Sequence, residues 1–108
     1  MLLPSHFTIE ISSQKLTGYL LNMEHPDGRS KAAFLLKNGF GEPESLRLAL
    51  LQLITNHPVT QQRHTIYGTK YVVDGLLISP QGKEVSVRTV WIVLQELSIC
   101  TFVTAYPI

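Results

Sequence analysis

Residues 69–94 read TKYVVDGLLISPQGKEVSVRTVWIVL. From Glu84 to Leu94 one face carries Val85, Val87, Thr89, Trp91 and Val93, and the other carries Ser86, Arg88, Val90 and Ile92. A period of two is the signature of a strand. Tyr71, Val73 and Leu77 alternate in the same way with Lys70, Val72, Asp74 and Leu76, so 69–78 is a second strand. Between them Ser79-Pro80-Gln81-Gly82-Lys83 has hairpin chemistry: proline presets one turn angle and glycine permits the positive one.

Outward from this hairpin the pattern divides the chain in two. Downstream, Gln95-Glu96-Leu97 turns the chain and Ser98 to Tyr106 forms the last strand, with Phe102, Thr104 and Tyr106 on one face. Upstream, Thr60 to Tyr67 (TQQRHTIY) reads as a polar edge strand. Before Val59 the apolar period is helical. Leu46, Leu50, Leu53 and Ile54 form one stripe, opened by Pro43 at its first turn and ended by His57-Pro58. Ala32, Phe34, Leu35 and Leu36 supply the buried side of a helix at about Arg29 to Asn38, with Gly39 suited to its end. Leu16, Leu20 and Met23 place a first helix at about Ser13 to Met23, with Ser12 and Ser13 as capping types. Phe7, Ile9 and Ile11 alternate in a short lead-in strand. The expectation is an α+β domain: N-terminal helices packed on one face of a three- to four-stranded antiparallel meander. Residues 1–108 form one domain, about 1–58 mainly helical and about 59–108 sheet.

Composition narrows the function classes. Nine Lys/Arg against eight Asp/Glu leave a net charge of +1, which excludes a polybasic nucleic-acid binder but not a nuclease with a small basic cleft. The apolar stretches are short and interrupted, so no membrane span is expected. The start MLLPSHFTIE lacks a signal-peptide pattern, and the cytoplasm is the expected compartment. The single cysteine, Cys100, cannot form an internal disulfide and reads as a small buried side chain.

Four histidines without close spacing and one cysteine give no metal-ligand pattern, and no phosphate-cradling glycine loop is present. No metal or cofactor is expected. What remains is metal-free acid–base chemistry. Cleaving RNA through its own 2′-hydroxyl needs a base, an acid and groups that hold charge on the phosphate. His25 heads the candidates, because in the turn His25-Pro26-Asp27-Gly28 a ring can reach a cleft. The plainer reading is a solvent-facing turn residue. His64 lies on the polar strand, His57 suits a helix end, and His6 is uninformative. Lys15 and Lys31 are phosphate-holding candidates or ordinary surface lysines. Arg88, mid-strand among apolar residues, needs a partner such as Asp74, or a ligand. Trp91 is core or a base-stacking ring. Thr104 and Tyr106 are hydroxyls at the end of the last strand.

These residues also carry a resemblance. Lys15-Leu16-x-x-Tyr19-Leu20-Leu21-Asn22, His25-Pro26-x-Gly28-x-x-Lys31-Ala32 and Gly39-Phe40 resemble the opening of a small bacterial domain family. Tyr67-Gly68-x-Lys70-Tyr71-x-Val73, Val87-Arg88-Thr89-Val90-Trp91 and Val103-Thr104-Ala105-Tyr106-Pro107 extend the match over nearly the whole chain. That opening is similar to families of the barnase/EndoU/colicin/RelE-like ribonuclease group. The resemblance implies helices followed by a four-stranded antiparallel sheet, with a catalytic cluster between the two layers. It marks His25, Lys31, Arg88, Thr104 and Tyr106 as catalytic candidates. Lys15, Tyr19 and Trp91 are the substrate-binding candidates.

Two function classes follow. One is a metal-independent endoribonuclease, the toxin of a bacterial toxin–antitoxin pair, acting on RNA and held by an antitoxin or immunity protein. The other is a non-catalytic interaction module, antitoxin-like or a homodimer, whose polar edge strand adds to a partner's sheet.

Overall fold

The computed structural model describes residues 1–4, 7–94 and 98–108. His6 and the expected turn Gln95-Glu96-Leu97 lie outside the described residues. In chain order the elements are β1 (Thr8–Glu10), α1 (Ser13–Lys15) running into a π-helical stretch (Leu16–Leu20), α2 (Arg29–Lys37), α3 (Pro43–Asn56), β2 (Gln61–His64), β3 (Gly68–Ile78), β4 (Glu84–Leu94) and β5 (Ile99–Pro107).

The class is α+β, as expected, but the sheet is larger and mixed. Its strand order is β1-β5-β4-β3-β2. The antiparallel meander of four strands is present, and β1 adds a fifth strand parallel to β5, with Thr8 opposite Ile99 and Glu10 opposite Thr101. Three residues of alternation do not announce a parallel partner some ninety residues away.

The hairpin between β3 and β4 closes as its residues require. The Gly82 N–H donates to the Ser79 carbonyl at 2.9 Å, and Gly82 takes φ +83°. The end of α2 is equally local. Gly39 sits at φ +92°, its N–H donates to Leu36, and the Phe40 N–H donates to Leu35. That pair of bonds satisfies two carbonyls the helix would otherwise leave open, and it turns Phe40 into the core.

The helices bury Leu16, Leu20, Ala32, Leu35, Leu46, Ala49, Leu50, Leu53 and Ile54 against one sheet face. That face presents Tyr71, Val73, Leu77, Val87, Trp91, Val93, Cys100, Phe102 and Ala105. The α3 stripe is therefore the expected one. Within α2, Leu36 is exposed rather than buried, because it follows Leu35 around the helix by about 100° and faces away from the sheet.

Two local expectations are corrected. The first helix is not a regular one to Met23. One α-turn, capped by the Ser12 hydroxyl accepting from the Lys15 N–H, widens into a π-helical stretch closed by Leu21 N–H to Leu16 at 2.8 Å. Secondly, Phe102 does not share a face with Thr104 and Tyr106. Trp91 pairs with Phe102 but Val90 pairs with Thr104, so β5 carries one extra residue at this point. Such a bulge flips the side-chain alternation. Phe102 and Ala105 point into the core, three apart, while Thr104 and Tyr106 fall on the other side of β5.

Candidate functional site

The helical layer meets β5 at Tyr19. Its phenol oxygen receives a hydrogen bond from Lys31 Nζ at 2.5 Å and lies 3.2 Å from Thr104 Oγ1. Lys15 Nζ and Lys31 Nζ stand 5.3 and 4.9 Å from the centre of its ring, a distance at which a cation is drawn to the ring face. The His25 ring meets the Tyr19 ring edge-on at 5.0 Å. Burial alone would push the Tyr19 phenol up. Hydrogen bonds from Lys31 and Thr104 and the charges of Lys31 and Lys15 outweigh it, and its pKa falls below the ordinary value.

Local structure explains this convergence. Lys15 and Tyr19 are four apart on the first helical segment, so they share a face. Lys31 lies in the first turn of α2, directly after the loop that holds His25. That loop folds tightly onto the π-helical stretch. A Cβ added at Gly28 would sit 2.3 Å from the Tyr19 carbonyl oxygen, so glycine is required here for close approach. The same loop fixes the His25 ring: Nδ1 accepts from the amide N–H groups of Asp27 and Gly28, each at 3.0 Å. Beside it opens a hollow of about 340 Å³ lined by Ser12, Gln14, Lys15, Gly18, Tyr19 and His25.

Thr104 meets Tyr19 from β5, where the bulge has set it on the opposite side of the strand from Phe102. Two residues on, Tyr106 belongs to a second group. Arg88 stands opposite both Asp74 on β3 and Tyr106 on β5. Its guanidinium grips Asp74 through two bonds, Nε–Oδ1 at 2.8 Å and Nη2–Oδ2 at 2.9 Å, and hydrogen-bonds Tyr106. Hydrogen bonding from Arg88 holds the Asp74 carboxyl below its usual range, and Asp74 in turn raises the Arg88 guanidinium. The partner required of an interior sheet arginine is therefore Asp74.

Of the eight candidates, five (Lys15, Tyr19, His25, Lys31 and Thr104) form one cluster, with Lys31 and Thr104 at the Tyr19 oxygen and Lys15 and His25 against its ring. Arg88 and Tyr106 form their own group on the sheet face away from the helices. Trp91 joins neither. It is fully buried, edge-on to Phe102 at 5.1 Å, and its indole N–H donates to Thr89, whose hydroxyl donates to the Val73 carbonyl. A ring enclosed in this way has no face left for a base to stack on, which corrects its place among the substrate-binding candidates.

The remaining histidines lie elsewhere. His57 closes α3 with Nδ1 2.9 Å from the Leu53 carbonyl, and His64 lies on exposed β2 beside Thr69. Cys100 is buried, and burial pushes its thiol up to about 11. A thiol so disfavoured as thiolate is a poor nucleophile. Among the described residues no group of three or more His, Cys, Asp or Glu is placed to hold a metal. No helix among them is long and apolar enough to cross a membrane.

Sequence reasoning missed two contacts. One is the close approach of Gly28, read only as a turn residue, to the Tyr19 carbonyl across the loop. The other is made by Arg47 on α3, which donates to the Ile11 carbonyl and to Ser13 Oγ, the latter at 3.2 Å, and so ties α3 to the start of the first helix.

Residues 2–108 match the model of a family described as a domain of unknown function, DUF6883. The chain belongs to that family. Comparison with curated proteins gives no match. Among solved structures this DUF6883 chain is similar to one described as a contact-dependent growth inhibition toxin–immunity protein complex from Klebsiella pneumoniae 342. The TM-score is 0.70 at 17% identity, covering 91% of this chain and 98% of that one. At that identity the likeness is one of fold.

Proposed function

We propose that this DUF6883 domain is a metal-independent ribonuclease of toxin type, cleaving RNA through the substrate's own 2′-hydroxyl. The observation that carries the reading is the gathering of Lys15, Lys31, His25 and Thr104 around Tyr19 beside an open hollow, Lys31 and Thr104 at its oxygen and Lys15 and His25 against its ring. Two ammonium groups supply the local field that a chain of net charge +1 lacks overall. They hold a phosphate, while the phenol, imidazole and hydroxyl supply the proton transfers and hydrogen bonds that charge development on phosphorus demands. Arg88 stands outside the reacting group, since the Nε/Nη2 side of its fork is taken by Asp74. The fold likeness to a chain of a toxin–immunity complex supports a toxin or immunity-type role, with the other member of such a pair as partner; the side-chain cluster favours the toxin.

The test is induced expression in a bacterium, with growth and total RNA followed together. Growth should stop, and RNA should fragment to 2′,3′-cyclic phosphate ends, in extract containing EDTA as well as without it. His25→Ala should grow normally. Equal arrest by that variant would remove His25 from the chemistry, and intact RNA during arrest would sink the ribonuclease reading.

A second reading has one observation in its favour. The edge strand β2 pairs only with Thr69 to Val72, so the outer edge of β3 from Asp74 to Ile78 carries no strand among the described residues. Leu76 and Ile78 are exposed beside it. An interaction module would add a partner's strand there. Stable co-purification with a neighbour-encoded protein, with no RNA cleavage by either, would favour that reading.

A further inference from the structure

We infer that the Tyr19 oxygen, rather than the His25 ring, accepts the proton in this site, and that His25 acts as a neutral hydrogen-bond donor to the phosphate. The inference rests on the RNA-cleaving reading above and divides the labour within it.

A neutral imidazole has one protonated and one bare nitrogen. Here Nδ1 faces two amide N–H groups, from Asp27 and Gly28, both at 3.0 Å. It is therefore the bare nitrogen, and the ring proton sits on Nε2. In this tautomer Nε2 donates and has no lone pair to offer. Nδ1 has the lone pair, but it is turned into its own loop and already engaged. Adding a proton there would set a ring N–H against two amide N–H groups. The loop thus presents one fixed N–H to a ligand, the role a neutral histidine plays when it polarises oxygen rather than moving a proton.

The charged groups acting on Tyr19 are both cations, Lys15 from α1 and Lys31 from α2. Its other polar neighbours are Thr104 from β5 and the His25 ring from the loop. Two ammonium groups lower the cost of forming the phenolate, against the opposing effect of burial. The short bond from Lys31 Nζ fixes the oxygen while leaving lone-pair capacity on it. Tyr19 also lines the hollow, and the proposed ribose lies there with its 2′-hydroxyl toward that oxygen.

The step balances as follows. The Tyr19 phenolate takes the proton of the 2′-hydroxyl, the 2′ oxygen forms its bond to phosphorus, and the bond from phosphorus to the 5′ oxygen breaks. The departing 5′ oxygen takes a proton from water. Tyr19 later returns its proton to the resulting hydroxide. The products are a 2′,3′-cyclic phosphate and a 5′-hydroxyl, and nothing is oxidised or reduced.

Three measurements on the intact protein test this. Nitrogen-15 NMR at pH 7.5, with the His25 signals assigned by their loss in His25→Asn, should show the Nε2–H tautomer. An Nδ1–H or doubly protonated ring would overturn the inference. Ultraviolet titration of the four tyrosines should show one ionising below the others, absent in Tyr19→Phe and moved upward in Lys31→Met. An unchanged titration in Tyr19→Phe would likewise overturn it. With an oligoribonucleotide, kcat should rise with pH above neutrality, and Tyr19→Phe should lose that rise and about 10²- to 10⁴-fold in rate. A rise centred on the histidine range that survives Tyr19→Phe would assign the proton to His25 instead. If both spectroscopic signatures appear and the protein cleaves no RNA, the ribonuclease reading falls and takes the proton-transfer role with it. If RNA is cleaved without the signatures, only the division of labour falls.

Discussion

At the scale of single residues, the site depends on one close approach. Gly28 has an ordinary φ of −94°, so its requirement comes from its neighbour: a Cβ would lie 2.3 Å from the Tyr19 carbonyl. Gly28→Ala should push the His25 loop off the π-helical stretch. Overpacking of this kind costs about 1–3 kcal/mol, readable as a lower urea midpoint. It should also weaken the two amide bonds to His25, so the ring's NMR signals should broaden or shift. Thr89 gives a second residue-scale test. Its hydroxyl is fully buried, accepts from Trp91 and donates to the Val73 carbonyl. Thr89→Val keeps the shape and strands both partners, at about 1–3 kcal/mol for each group left unsatisfied. The single tryptophan reports this directly, through denaturation followed by its fluorescence. At this scale the sequence was readable by residue type. His25, Lys31 and Lys15 stand out as a protonatable ring among cations. That Tyr19 is their common centre could not be read, because it depends on a π-helical turn and on a loop folded back over it. Trp91 was ambiguous for the same reason: only packing separates a core indole from an exposed one.

At the scale of elements, period did most of the work. The strands β3 and β4, the hairpin between them, and α3 lie where alternation, Pro80, Gly82 and Pro43 place them. The β5 bulge was beyond that reading. Strict alternation puts Phe102 with Thr104 and Tyr106, and an inserted residue at Val103 changes nothing in the local composition. Yet the bulge is what sets Thr104 on the opposite side of β5 from Phe102. Between β3 and β4 the cross-strand pair Asp74–Arg88 gives a pH-dependent test. The Asp74 carboxyl is held below its usual range in the folded protein by the hydrogen bonds from Arg88. A carboxyl lowered on folding contributes stability above its unfolded pKa and loses it as pH falls through the folded one. Asp74→Asn should therefore unfold more easily than the parent at pH 7. The gap between the two should close as the solution is acidified through the carboxylate range. A difference that persists at pH 2 would mean that packing, and not charge, holds the pair.

At the scale of the whole molecule, the two-layer plan was foreseeable and the parallel β1 was not. Helix-then-strand order with short connections leaves few ways to cover one sheet face, whereas β1 joins β5 across nearly the full chain. The near-neutral charge has its consequence here as well. With nine basic and eight acidic side chains, long-range attraction to any polyanion is weak, so on the proposed ribonuclease reading RNA is held by the two ammonium groups around Tyr19. For single-stranded nucleic acid the logarithm of affinity falls with the logarithm of salt by about 0.7 per phosphate neutralised. Two phosphate contacts, one through Lys15 and one through Lys31, give a slope of about −1.4. Lys15→Ala should flatten that slope by about 0.7 and leave the tyrosine titration still showing an early-ionising group, because Lys31 holds the Tyr19 oxygen directly. Binding of a short oligoribonucleotide between low and moderate salt reads the slope by fluorescence anisotropy. A slope several times steeper would mean that RNA is gripped by a broad basic surface, and the hollow beside Tyr19 would then be one contact among many rather than the seat of binding.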